Sequence, residues 1–315
     1  MRNFLIIPIL FIFLVSCSNS EDFDIPKISK LEKLEEHSNQ FIKGIYSYDN
    51  GIHVAIGFGI ANSIMVEGEG GNIIIDTTDD VSQAKEVLSE FQKINQNPIK
   101  AIIYTHNHGD HVFGASEFYN AQEEKPLVIA HSTTAEKVEK ILGIINPIIT
   151  LRSGKMFGTN LDDNELINVG LGPYLSAGRS SPGYIAPTLT FEKELKLEIA
   201  GHKVELYHAP GETDDQLFVW FPELSALMPG DNFYTTFPNL YTIRGTSHRD
   251  VIGWVKSIDK MRSLNPQYLF PSHTMPVEGE EISNALIIYR DGMQYVHDQT
   301  VRLMNKGLTP DEIVE

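Results

Sequence analysis

Apolar and polar positions along the chain alternate between the two-residue period of strands and the 3.6-residue period of helices. The stretch GIHVAIGFGIANSIMVEGEGGNIIIDT gives three short β-rich runs parted by Gly and Asn turns, a meander whose last run, Asn72 to Ile75, ends at Asp76. Val81, Ala84, Val87, Leu88, Phe91 and Ile94 then recur at helical spacing, and Asp80 with Gln83 three residues on makes a capped start. A buried strand is expected over Lys100 to Tyr104, another over Leu127 to Ala130, and a helix from Thr133 to Ile145. Residues 146 to 187 carry Gly-Pro-Tyr, Ala-Gly-Arg and Pro-Gly-Tyr and read as a long loop draped over a pocket.

The alternation then repeats. A second sheet is expected from Thr188 to Trp220, followed by a run through Leu227 to Asp231, a helix from Arg249 to Leu264, a strand ending at Phe270 and a helix from Glu281 onward. Meander, crossover helix, second meander and crossover helix predict an α/β fold of two facing β-sheets with helices outside. No short-period repeat or low-complexity tract interrupts it.

Composition narrows the partners. With 315 residues, 42% of them hydrophobic, the chain can bury a full core. Its net charge of −17 argues against nucleic acid and against an electrostatic hold on anionic membrane, since both need a Lys/Arg-rich face. The single cysteine, Cys17, rules out a disulfide framework or a cysteine-built zinc site within one chain.

That cysteine closes the start MRNFLIIPILFIFLVSC, where one basic residue, Arg2, precedes an apolar run too short for a comfortable membrane span. Leu14-Val15-Ser16-Cys17 resembles a bacterial lipobox. The resemblance implies a signal peptide over 1–16, lipidation of Cys17, and export to the periplasmic or cell-surface side of the membrane. Residues 17–40 then read as a polar tether, 41–280 as a catalytic domain, and 281–315 as a C-terminal helical region.

The densest chemistry lies in THNHGDHVFG, which places His106, His108, Asp110 and His111 just after an apolar strand, where α/β sheets put their sites. His106 and His108, two apart, point the same way in extended chain, and Asp110 and His111 can turn to a second position nearby. Three imidazoles and a carboxylate suit Zn²⁺, with Mn²⁺ or Fe as alternatives. His208 ends a strand and reads as a packed or supporting group, and His131 as a cap or loop group. His37, His202, His248 and His297 read as surface or structural. Asp76 is a candidate either to orient a ligand histidine or to cap a helix. Tyr174, Tyr184 and Tyr241 lie in loops expected to rim the site.

The H-x-H-x-D-H spacing of His106 to His111 resembles the metallo-β-lactamase superfamily, which implies an αββα sandwich of two facing mixed β-sheets and a dinuclear site. Further ligands in that superfamily come from three later turns, which here hold Glu212, Asp231 and His273. The implied arrangement gives one metal to His106, His108 and Glu212 and the other to Asp110, His111 and His273, with Asp231 bridging. Asp110 and Asp231 would then flank the catalytic water. Two divalent cations, three carboxylates and a hydroxide sum to about zero charge, which leaves a monoanionic ester unrepelled.

Glu at position 212 resembles the alkyl sulfatase branch, where lactamases and lactonases carry His. The segments SAGRSSPGYIAPT and DNFYTTFPNLYTIRGTSHRD agree, and the second implies sulfate contacts at Asn239 and Arg244. The expected activity is hydrolysis of alkyl sulfates, a small-molecule ester, with two Zn²⁺; the alternatives are hydrolysis of another ester, a lactone or a β-lactam, or an inactive ligand-binding surface lipoprotein. Water attacking carbon and water attacking sulfur both remain open. Members of that branch continue into a helical dimerisation region, of which the resemblance makes 281–315 the truncated start, and a sterol-carrier-like domain. The resemblance here ends near residue 306, which puts a dimer and an alkyl-chain lid in question.

Overall fold

The computed structural model describes residues 29–162, 165–175 and 182–315. The expected signal peptide, Cys17 and part of the SAGRSSPGYIAPT segment lie outside them. No helix among the described residues is long and apolar enough to cross a membrane.

Residues 30 to 40, expected as tether, are instead α1 (Lys30–His37) and a 3-10 turn (Ser38–Phe41). Ser29 and Glu32 cap α1 reciprocally, so a run that reads only as polar has both ends of a capping box. Asn168 Nδ2 donates to the Leu34 carbonyl at 2.8 Å and His37 Nε2 to the Gly170 carbonyl at 2.8 Å, which docks the segment on the body.

The first sheet has seven strands in chain order: β1 (Gly44–Ser47), β2 (Ile52–Ile56), β3 (Ser63–Gly68), β4 (Gly71–Ile75), β5 (Ile99–Ile103), β6 (Leu127–His131) and β7 (Leu189–Phe191). Pairing is antiparallel through β4 and parallel thereafter. The second sheet holds β8 (Glu194–Ile199), β9 (His202–His208), β10 (Leu217–Phe221), β11 (Ala226–Met228), β12 (Tyr268–Leu269) and β13 (Val277–Glu278), with only β11 and β12 parallel. Both sheets are mixed, as expected. One assignment shifts: Leu189–Phe191 opens the second meander in sequence, yet it pairs with β6 at the edge of the first sheet.

Strand alternation explains the layers. On β4, Ile73 and Ile75 face the other sheet and Ile74 faces outward; on β10, Leu217, Val219 and Phe221 face in and Phe218 and Trp220 face out. The inward sets form one core between the sheets. Outward residues of the first sheet pack on α2 (Val81–Ile94), α4 (Ala115–Asn120) and α5 (Thr134–Leu142), with the short α3 (Gly109–Val112) beside them. Those of the second sheet pack on α7 (Val251–Ser263) and on Ile282, Leu286, Tyr289 and Met293 of α8 (Glu280–Met304), so the first half of α8 is packed on that sheet. A last turn of helix, α9 (Pro310–Val314), follows.

The expected loop at 146–187 begins as a helix, α6 (Asn146–Met156). Pro147 sits in its first turn, where its missing N–H costs nothing. Apolar side chains lie on both faces of α6: Ile149 and Met156 line a cavity while Ile148 and Leu151 are exposed. Without a polar face, the helical period leaves no mark in the sequence.

Candidate metal centre

Loops following β4, β5, β9, β11 and β12 converge at the carboxyl ends of their strands. Asp76 follows β4 in a left-handed backbone, φ 56°, uncommon for a residue with a side chain. Its buried carboxylate accepts from Thr105 N–H at 2.9 Å, Thr105 Oγ1 at 2.9 Å, Ser272 Oγ at 2.7 Å and His111 Nδ1 at 2.7 Å. Asp76 therefore orients His111, and Asp80 caps α2 through bonds to Ser82 and Gln83 N–H. With Nδ1 of His111 donating to Asp76 and Nδ1 of His273 donating to the Ile60 carbonyl at 2.8 Å, both rings turn Nε2 inward, the atom that would ligate once deprotonated.

The expected ligands come together in two groups. Donor atoms of His106, His108, Glu212 and Asp231 lie within 4.8 Å of one another, as do those of Asp110, His111 and His273. Asp231 faces both, with Oδ2 3.2 Å from His273 Nε2 and 3.6 Å from His106 Nε2, and Oδ1 3.4 Å from His111 Nε2. His111 Nε2, Glu212 Oε2 and Asp231 Oδ1 are buried without a hydrogen-bond partner. Leaving such atoms unpaired costs about 1–3 kcal/mol each, so their convergence fits cations that would satisfy them. The fold thus presents residues able to hold a pair of metal ions.

Electrostatics agree. Burial, then neighbouring His111, pushes His106 down to about 4; burial, His106 and Arg244 push His108 well below its ordinary value, so both stay neutral. Burial also disfavours charge on His111 and His273, but the carboxylates outweigh it: Asp231 and Asp110 hold His111 well above its usual range and His273 at about 9. Burial, then the adjacent Asp231, pushes Glu212 up to about 8. The metal-free cluster therefore stores protons where cations would sit.

A pH dependence follows. Glu212 and His273 are protonated below about 8 and about 9 in the metal-free form, His111 is held protonated with them, and all three must be deprotonated to ligate, so metal uptake at pH 7 releases protons and apparent affinity rises with pH through this range. Titration calorimetry in two buffers of different ionisation enthalpy measures this. Uptake without proton release at pH 7 would contradict it.

Asn239 and Arg244 line a cavity of about 430 Å³ together with His108, Asp110, Glu212, Asp231 and His273. Its other walls are largely apolar, among them Phe113, Ile141, Leu142, Ile149, Met156 and Phe157. Arg244 lies with Nη1 3.7 Å from Met156 Sδ and its guanidinium 5.7 Å above the Phe157 ring. No carboxylate among the described residues comes within 4.0 Å of it.

Other expectations resolve by contact. His208 donates to the Asp214 carbonyl at 2.8 Å and stacks on His131 at 4.2 Å, away from the cluster. The three tyrosines do not line the cavity: Tyr174 bonds the Phe58 carbonyl, Tyr184 packs beside Tyr104, and Tyr241 is exposed. Two residues the sequence reading passed over prove structural to the site. Asp215, fully buried, accepts from Asn107 Nδ2 and Thr134 Oγ1, which fixes the residue between His106 and His108. Arg249, read only as the start of a helix, is 4% exposed and sets Nη2 2.7 Å from Glu212 Oε1.

A family model described as the metallo-beta-lactamase superfamily matches residues 56–273. The chain belongs to that superfamily. More particularly, it is 42% identical over 258 residues to a linear primary-alkylsulfatase of a Pseudomonas species, a match covering 80% of this chain and 48% of that one. It is also 28% identical to an alkyl/aryl-sulfatase of Saccharomyces cerevisiae, covering 87% of this chain and 44% of the relative. The structure of a stereoselective inverting sec-alkylsulfatase from Pseudomonas sp. superposes with a TM-score of 0.83 at 26% identity, over 90% of this chain and 46% of that one. The chain spans about half the length of the curated relatives it matches.

Proposed function

We propose that the protein hydrolyses sulfate esters of alkyl alcohols to the alcohol and inorganic sulfate, with two zinc ions as cofactors. One observation carries this reading: Arg244, a partly buried guanidinium with no carboxylate partner among the described residues, opens into the same apolar-walled cavity as both ligand groups. A guanidinium fork matches the outer oxygens of a sulfate ester, and Asn239 beside it adds an amide. The apolar walls suit an alkyl chain. His106, His108 and Glu212 would hold one cation, Asp110, His111 and His273 the other, and Asp231 would face both; this N/O donor set suits zinc, with manganese or iron as alternatives. When bound, such cations lower the pKa of water enough to supply a nucleophile near neutral pH.

The similarity to alkylsulfatases supports this substrate class, and the inverting neighbour supports attack on carbon. A water oxygen would bond to the ester carbon as its C–O bond breaks; sulfate departs, held by Arg244 and Asn239, and the water's remaining extra proton passes to solvent. The sequence ending Leu14-Val15-Ser16-Cys17 supports an exported, lipid-anchored form.

Metal-loaded protein assayed against dodecyl sulfate, a cephalosporin and a lactone, in ¹⁸O-labelled water, tests the reading. Sulfate release with the label in the alcohol is expected. Turnover of the cephalosporin or lactone without sulfate release would overturn the substrate class, and label in the sulfate would overturn the site of attack.

A further inference from the structure

Arg249 joins the candidate metal centre to the loop that carries Asn239 and Arg244. Its Nη2 lies 2.7 Å from Glu212 Oε1, and its Nη1 donates to the Asn239 carbonyl. The Asn239 N–H donates in turn to the Tyr234 hydroxyl at 3.1 Å, and the Glu212 N–H to Asn232 Oδ1 at 3.3 Å. Glu212 Oε1 is thereby ion-paired, while Oε2 is buried without a hydrogen-bond partner. Burying a guanidinium beside a centre built for two dications is electrostatically unfavourable unless its geometry compensates.

We propose that Arg249 is a positioning residue whose two guanidinium arms hold Glu212 with Oε2 facing the centre and, at the same time, set the Asn239–Arg244 loop. Cation uptake and ester binding are then coupled through one side chain. This rests on the reading given under Proposed function, but its first half concerns only the chain and its cations.

Charge and position predict opposite signs. Removing a cation near two dications would, through charge alone, tighten metal binding; removing a positioning group weakens it, by about 10–100-fold for groups that orient ligands. Arg249→Met and Arg249→Lys separate the two. Metal affinity is read by competition with a chromophoric chelator, KM by sulfate release, and folding by near-ultraviolet circular dichroism.

In Arg249→Met, the weaker of the two metal affinities is expected to fall by about 10–100-fold and KM for decyl sulfate to rise. Arg249→Lys, which keeps the charge and one donor but lacks the fork, is expected to restore metal affinity and leave KM raised. It also keeps the test decisive should the methionine variant fail to fold. Metal binding in Arg249→Met at or above wild-type affinity, or a lysine variant that recovers KM along with metal, would overturn the proposal. A wild type that binds two metals yet releases no sulfate would refute the substrate class alone, since the chelator competition needs no turnover.

Discussion

Exchanging Asp231 for asparagine is expected to leave a folded protein that has lost its metals and releases sulfate roughly a thousandfold more slowly, equivalent to about 4 kcal/mol of transition-state stabilisation. Asp231 is the carboxylate that both ligand groups share: its two oxygens face His106, His111 and His273 at 3.2 to 3.6 Å. An asparagine amide keeps the volume but loses the charge and turns one acceptor into a donor.

In the metal-free state Asp231 has two opposed effects: it pairs with the raised imidazoles of His273 and His111, a contribution that asparagine loses, and it burdens its carboxylate neighbour. It is the largest influence after burial that pushes Glu212 up to about 8, and asparagine removes that repulsion. Melting without metal should therefore stay close to wild type, while the rise expected when zinc is added to the wild type should disappear. Mass spectrometry of bound metal, melting curves and sulfate assays check the three parts. Two retained metals at wild-type affinity would show that Asp231 is not the shared ligand.

Arg244→Ala should give the contrasting result: both metals retained, turnover of dodecyl sulfate about 100-fold slower, and inhibition by inorganic sulfate weakened. The residue touches Met156 and Phe157 and has no ion pair among the described residues, so its removal leaves none of their carboxylates uncompensated. A charge-assisted contact is worth about 1.5–3 kcal/mol, and groups that stabilise developing charge in a closed site are worth about 10²–10³ in rate. Arg244→Lys, with a point charge in place of a planar fork, should recover only part of the loss. Loss of metal from either variant would place Arg244 in the wrong role.

Much of this was legible because local periodicity and buried pattern coincide. The run Ile73-Ile74-Ile75 splits cleanly between the inter-sheet core and α2, as a strand buried on both faces must. The histidine loop is readable since its spacing alone puts donors near each other. Glu212, Asp231 and His273 needed the family resemblance, because nothing local says that the ends of β9, β11 and β12 meet at β5.

What escaped the sequence has specific causes. α6 has apolar residues on both faces, so no amphipathic period distinguishes it from a loop. β7 is three residues long, and its pairing with β6 is a long-range choice that propensity does not encode. Arg249 sits in the polar run Ser-His-Arg-Asp, where an arginine normally reads as solvated; only the approach of Glu212 from a distant turn gives it a buried partner.

Anomalous diffraction at the zinc edge from crystals of the zinc-loaded protein bears most directly on the claim that a carboxylate completes a two-cation cage. The account predicts two peaks, one within ligand distance of Glu212 Oε2, His106 and His108, the other near Asp110, His111 and His273, with Asp231 reaching both. A single peak, or two peaks with the Glu212 side chain directed away from them, would contradict it.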